Sequence, residues 1–158
     1  MRTRYLYIIA ISILILDQLS KYLILNAYSL GISVPVIHNV FHVTLLRNSG
    51  GAFGIMQSIP GMLLFVSIAA AVLIILMLKS KTPISELVGI ALALQLGGAL
   101  GNLIDRIRLG YVVDFIDLMV WPIFNVADIA ITVGVLILAY HLIFRSHVDN
   151  PSQKKQDA

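Results

Sequence analysis

Apolar residues run almost unbroken from Tyr5 to Leu25, Ile59 to Leu78, Ile84 to Leu103 and Ile123 to Phe144. Each run is near the ~20 residues that a helix needs to cross the hydrocarbon core of a bilayer, so the pattern predicts four transmembrane helices. Between the first two, the segments Val34-Pro35-Val36-Ile37 and Val40-Phe41-His42-Val43-Thr44-Leu45-Leu46 are rich in β-branched and aromatic residues. They predict a small sheet within residues 26–58. It ends at Arg47-Asn48-Ser49-Gly50-Gly51-Ala52-Phe53-Gly54, where glycines such as Gly50 permit a tight turn or close approach of the backbone to a ligand. The link Lys79 to Pro83 is too short for a domain, so spans two and three form a hairpin, and a second loop over residues 105–122 joins spans three and four. Residues 1–145 then make one four-helix domain, and the polar tail 146–158 is expected to be disordered.

Composition agrees with a membrane protein: 59% of the 158 residues are hydrophobic and 12% are charged, too little polar surface to cover these helices in water. Charge then orients them. Arg2 and Arg4 precede span one, Lys79 and Lys81 separate spans two and three, and Arg145, Lys154 and Lys155 follow span four. The positive-inside rule puts those regions, and both termini, in the cytoplasm. The net +3 is therefore a topology signal and does not point to nucleic acid. Span one starts like a signal sequence, yet it carries Asp17 and Lys21 and lacks a small-residue cleavage pattern, so it is expected to stay as an anchor. With no cysteine, a thiolate nucleophile and a Cys-ligated metal are excluded.

Against that topology the acidic residues are unevenly placed. Asp17, Asp105, Asp114, Asp117 and Asp128 all fall at the outer ends of the spans or in the outer loops. Ionisable groups at that depth are costly and usually functional. Asp17 with Lys21, Asn102 with Asp105, and Asn125 with Asp128 are spaced three or four apart, so each pair shares a helix face. Asp17 and Lys21 read as an ion pair near lipid headgroups. Asp105 beside Arg106 reads as a structural or ligand-orienting group, and Asp117 as water-facing.

Asp114 and Asp128 differ, because each sits in a short apolar run, Val112-Val113-Asp114-Phe115 and Phe124-Asn125-Val126-Ala127-Asp128, with no base beside it. The plain alternative for Asp128 is a carboxylate favoured by a helix N-terminus. Two carboxyls sharing a proton polarise a water and then protonate a leaving amine, without cofactor or covalent intermediate. Other schemes fit less well. A Ser-Lys dyad would need Lys21 with Ser20 or Ser49, and His38 with His42 lacks the carboxylate or HExxH pattern of a metal set. A channel or proton transporter would spread charge through the bilayer, whereas the centres of spans two to four carry none. A noncatalytic adaptor would leave the apolar-flanked aspartates unexplained.

Asp17-Gln18-Leu19-Ser20-Lys21, Arg47 to Phe53, Gly101-Asn102-Leu103-Ile104-Asp105-Arg106, Val112 to Phe115 and Phe124 to Asp128 resemble, in order and spacing, the motifs of bacterial lipoprotein signal peptidase, also called signal peptidase II. The resemblance covers nearly the whole chain except the tail. It implies an aspartyl endopeptidase of the bacterial cytoplasmic membrane that removes signal peptides from prolipoproteins just before a diacylglyceryl-modified cysteine. It puts Asp114 and Asp128 at the catalytic positions, Asn48, Asn102, Arg106 and Asn125 in the lining, and Asp17, Lys21 and Asp105 in support. It also implies an outer β-cradle with a small outer helix; membrane lipid as surroundings, a site at the extracytoplasmic face and a monomer working without cofactor or metal are the further expectations. Gly51 departs from the alanine common in the family and touches no catalytic position.

Overall fold

The computed structural model describes residues 2–49, 61–80 and 84–144. Gly50, Gly51, the link at Lys81 and the tail from Arg145 lie outside them. In chain order the elements are α1 (Arg2–Ala27), β1 (Ser33–Ile37), β2 (Phe41–Asn48), α2 (Met62–Lys79), α3 (Glu86–Leu109), β3 (Val112–Asp117) and α4 (Val126–Phe144). All four helices are long and apolar enough to cross a membrane.

The centre of the bundle is α3, half of whose most apolar window is buried, against 17% in each of the other three helices. It packs on α1, α2 and α4, and its small residues are what let them approach. A Cβ on Gly97 would stand 2.5 Å from the Ala10 carbonyl oxygen, and one on Gly98 would stand 2.5 Å from that of Ala127. Gly101 in turn lies under the Asp17 carboxylate. The Gly97/Gly101 spacing thus seats α1, while Gly98 seats α4 on another face. On α1 the residues turned inward, Leu6, Ala10, Asp17 and Lys21, recur at helical spacing, and Ile8, Ile11, Ile15 and Tyr22 cover the exposed side. In a bilayer that apolar exterior faces lipid.

Ser85 caps α3 by accepting from the Val88 backbone N–H, and Gly110 ends the helix at φ 80°. The helix therefore runs past Asp105 and Arg106, both of which had been assigned to the outer loop by the break in hydrophobicity. Charged residues extend a helix as readily as apolar ones once its cap lies further on.

The expected sheet is present, with one more strand than anticipated and drawn from both loops. The antiparallel order is β1-β2-β3, and β3 comes from the segment between α3 and α4. Residues 110–125 of this second loop hold β3 and bends. An isolated bridge between Ile116 and Phe124 closes that loop, and Asp117 accepts from Thr44 Oγ1 of β2 at 2.7 Å and from the Met119 N–H at 2.9 Å. Asp117 is thus a clamp on the turn after β3 and is not simply water-facing.

Candidate active site

At the sheet end of the bundle, α1, α3, β3 and the start of α4 deliver their polar residues to one place. Lys21 is buried, 2% exposed. Its ammonium reaches Asp17 Oδ2 and Asp105 Oδ2, both at 2.8 Å, and donates to Asn102 Oδ1 at 2.9 Å. Three acceptors match its three hydrogens. The Asp17–Lys21 pair was expected, but at the headgroup surface; Asp17 is instead fully buried against α3 and α4. Asp105 pairs with Lys21 and not with its neighbour Arg106, because adjacent helix residues face different ways.

These buried charges also position backbone. Asp17 Oδ1 accepts from the Ala127 N–H at 2.9 Å, satisfying a donor in the first turn of α4, and Asp105 Oδ2 accepts from the Val113 N–H at 3.1 Å, fixing β3 one residue before Asp114. Gln18, given no role from sequence, donates to Asp17 Oδ2, the Gly101 carbonyl and Asp105 Oδ1. An amide beside a carboxylate in an otherwise apolar helix was the available signal for it.

Asp114 and Asp128 stand on either side of Asn125. The Asn125 side-chain amide donates to Asp114 Oδ1 at 2.7 Å, and its backbone N–H donates to Asp128 Oδ2 at 3.2 Å. Asn125 Oδ1 accepts in return from the Asp128 N–H at 3.0 Å. This is a reciprocal cap on α4, which places Asp128 in the first turn of that helix. The remaining carboxyl oxygens are also met. Asn48 Nδ2 donates to Asp114 Oδ2 at 2.8 Å across the β2–β3 ladder, and Asn102 Nδ2 donates to Asp128 Oδ1 at 2.9 Å. Burial pushes the Asp114 carboxyl up from its ordinary 3.8 to about 6; the Asn48 hydrogen bond opposes this, and the Asp128 charge adds to it.

Asp114 is 1% exposed, whereas Asp128 opens onto a cleft of about 290 Å³ whose lining includes Asn48, Asn102, Arg106, Trp121 and Thr132. Arg106 Nη1 donates to Ser67 Oγ of α2 at 3.2 Å and to the Asn102 carbonyl at 3.3 Å, holding the guanidinium at the cleft wall. Ser67 and Trp121 were not singled out for the site from sequence. Gly50 lies outside the described residues. His38 and His42 lie on the hairpin, His42 Nδ1 at 3.0 Å from Ser33 Oγ.

The fold is that of a multi-pass membrane protein, and at one end of its membrane-length helices two apolar-flanked carboxyls and their amide donors lie beside a cleft. The family profile described as signal peptidase (SPase) II matches residues 9–144. Lipoprotein signal peptidase of Moorella thermoacetica is 46% identical over 136 residues, covering 86% of this chain and 91% of that protein. The one from Brevibacillus brevis is 50% identical over 139 residues, covering 84% and 90%. A bacterial membrane enzyme solved by the in meso method at 2.3 Å resolution superposes with a TM-score of 0.86 at 31% identity, covering 93% of this chain and 92% of that one. The chain belongs to the signal peptidase II family of aspartic peptidases.

Proposed function

We propose that this protein cleaves signal peptides from prolipoproteins in the bacterial cytoplasmic membrane, cutting just before a diacylglyceryl-modified cysteine, with Asp114 and Asp128 as the catalytic pair. The observation that carries the assignment is Asn125, one residue donating to both carboxyls. Both relatives named above are called lipoprotein signal peptidases, which supports the substrate class. A signal peptide is itself a hydrophobic helix, and acyl chains on the cysteine keep the scissile bond near the headgroups. A site at the end of the spans meets it there.

The reaction follows from two carboxyls that share a proton. The ionised one takes a proton from water as the water oxygen attacks the scissile carbonyl carbon; the protonated one gives its proton to the departing amide nitrogen. The products are a free carboxyl on the signal peptide and a free amine on the cysteine. A carboxyl displaced to about 6, as at Asp114, changes state near ambient pH and so serves in either role. Asn48, Asn102 and Arg106 supply donors along the cleft for the peptide. Asp17, Lys21 and Asp105 keep α4 and β3 in register. We assign the site to the extracytoplasmic face, both termini to the cytoplasm, and a monomer as the working unit, because one chain supplies the whole pair.

The test is cleavage by the purified protein in detergent of a prolipoprotein peptide with and without the diacylglyceryl group. Cutting immediately before the lipidated cysteine, with the unlipidated peptide spared and with Asp114→Asn inactive, is the expected result. Equal turnover of both peptides would refute the substrate assignment, and full turnover by Asp114→Asn would refute the pair.

A further inference from the structure

Leu118, Met119, Val120 and Trp121 form an apolar tip on the loop between β3 and α4, and they are 39%, 54%, 90% and 62% exposed. None of them belongs to a spanning helix. The tip is held rather than loose. Asp117 accepts from the Met119 N–H, Met119 sits at φ 64°, a conformation uncommon outside glycine, and Phe124 returns the chain to β3 through hydrogen bonds with Ile116. A non-glycine residue fixed in this way, with four consecutive large apolar side chains turned outward, calls for a nonaqueous neighbour.

The surface identifies that neighbour. The tip lies just before Val126, where α4 begins its passage through the bilayer, and it continues the exposed row Ile129, Val133 and Leu136 on that helix. A groove of about 390 Å³ joins the two, running from Leu118 and Trp121 past Phe124 to Ile129 and Val133 and touching Asp128. The surface is therefore continuous with the lipid-facing side of the bundle, and it has a tryptophan at the depth where that side chain concentrates. Trp121 and Pro122 also line the polar cleft.

We propose that Leu118–Trp121 is a bilayer-inserting turn that sinks into the headgroup–acyl boundary and so holds the mouth of the catalytic cleft below the membrane surface. The partner is the lipid bilayer itself. Trp121 then forms a wall between a polar cleft suited to the peptide and an apolar groove open to acyl chains. The inference rests on the membrane reading of the four spans and not on the identity of the substrate.

Trp121 is the chain's single tryptophan, so native fluorescence reports this site alone. The full-length protein is placed in nanodiscs of phosphatidylcholine brominated near the glycerol end of the acyl chains, or near the methyl end, and is separately titrated with aqueous iodide. Strong quenching by the shallow bromines, weaker quenching by the deep ones and little by iodide are expected. Iodide quenching without bromolipid quenching would overturn the proposal in favour of a water-facing tip. Protection from both would overturn it in favour of a protein cover, such as a second copy. Val120→Asp, at a residue that is 90% exposed and lines neither the cleft nor the groove, is expected to raise iodide quenching several-fold. It should lower cleavage of a bilayer-embedded substrate by about tenfold while detergent activity stays within about twofold, and Val120→Leu should behave as wild type. Unchanged cleavage in nanodiscs by a Val120→Asp protein whose tryptophan has become iodide-accessible would overturn the claim that insertion serves the cleft. A wild type that inserts its tip but cleaves no lipidated peptide would refute only the substrate assignment.

Discussion

Replacing Asp114 with asparagine should alter how stability depends on pH, and by an amount that the burial of this one carboxyl sets. Its pKa stands at about 6 in the folded protein against an ordinary 3.8. A tenfold difference in proton affinity corresponds to about 1.4 kcal/mol, so ionising Asp114 in the folded state costs about 3 kcal/mol more than ionising it in the unfolded chain. Because the folded pKa is the higher one, the native state binds this proton more tightly. Full stability holds below about pH 3.8, declines as pH rises, and reaches its lower plateau above about pH 6. Asparagine cannot ionise and escapes that decline. It has its own cost, since its NH2 group must face the donor amide of either Asn48 or Asn125, about 1–3 kcal/mol for a buried donor left unmet. That cost does not vary with pH. The difference in melting temperature between variant and wild type should therefore move in the variant's favour by about 5–10 °C between pH 4 and pH 8, at about 2–4 °C per kcal/mol for a chain of this size. Thermal unfolding of both proteins in one detergent across that range measures it. Parallel curves would show that Asp114 is ionised at no special cost and would refute the buried, proton-holding carboxyl.

Asp128→Asn should leave a folded protein while cleavage falls by several orders of magnitude, because an amide cannot accept and pass the proton; circular dichroism with a single-turnover peptide assay separates the two effects. Lys21→Ala strands the buried carboxylates of Asp17 and Asp105 and should cost about 3–5 kcal/mol, read as a lower melting temperature and yield, with partial activity in the surviving fraction. Gly101→Ala would drive a methyl group into the Asp17 carboxylate and should destabilise by about 1–3 kcal/mol or more, whereas Gly110→Ala, with open space around it, should lose only the cost of its left-handed backbone. Chelators should leave turnover unchanged, and loss in EDTA with recovery on zinc would redirect attention to His38 and His42.

Sequence carried the four spans because a bilayer imposes a length, and the five motifs because they put polar residues where a membrane otherwise requires hydrophobic ones. It was silent on which faces meet. Asp17 and Lys21 share a helix face whether that face meets headgroups or α3, and only the contacts of Gly97 and Gly101 with α1 decide it. The third strand was hidden for a related reason. Val112 to Phe115 is too short and too apolar to show the alternation of a half-buried strand, since it is buried on both sides, and its partner β2 lies more than sixty residues earlier. Asp105 was read beside Arg106 because neighbours in sequence are visible there, while its true partner Lys21 sits on another helix.

The reciprocal cap between Asn125 and Asp128 makes the start of α4 and the pair of acids a single cooperative event. Fraying of that first turn withdraws the Asn125 amide from Asp114 and carries Asp128 away with it. On the proposed assignment of Asp114 and Asp128, a chain whose α4 is partly unwound at this end has no assembled acid pair. Such coupling narrows what substitution can accomplish: serine or aspartate, ordinarily adequate at a helix start, would retain the helix and lose the amide that reaches Asp114. Engineering this enzyme for robustness would have to begin elsewhere along α4.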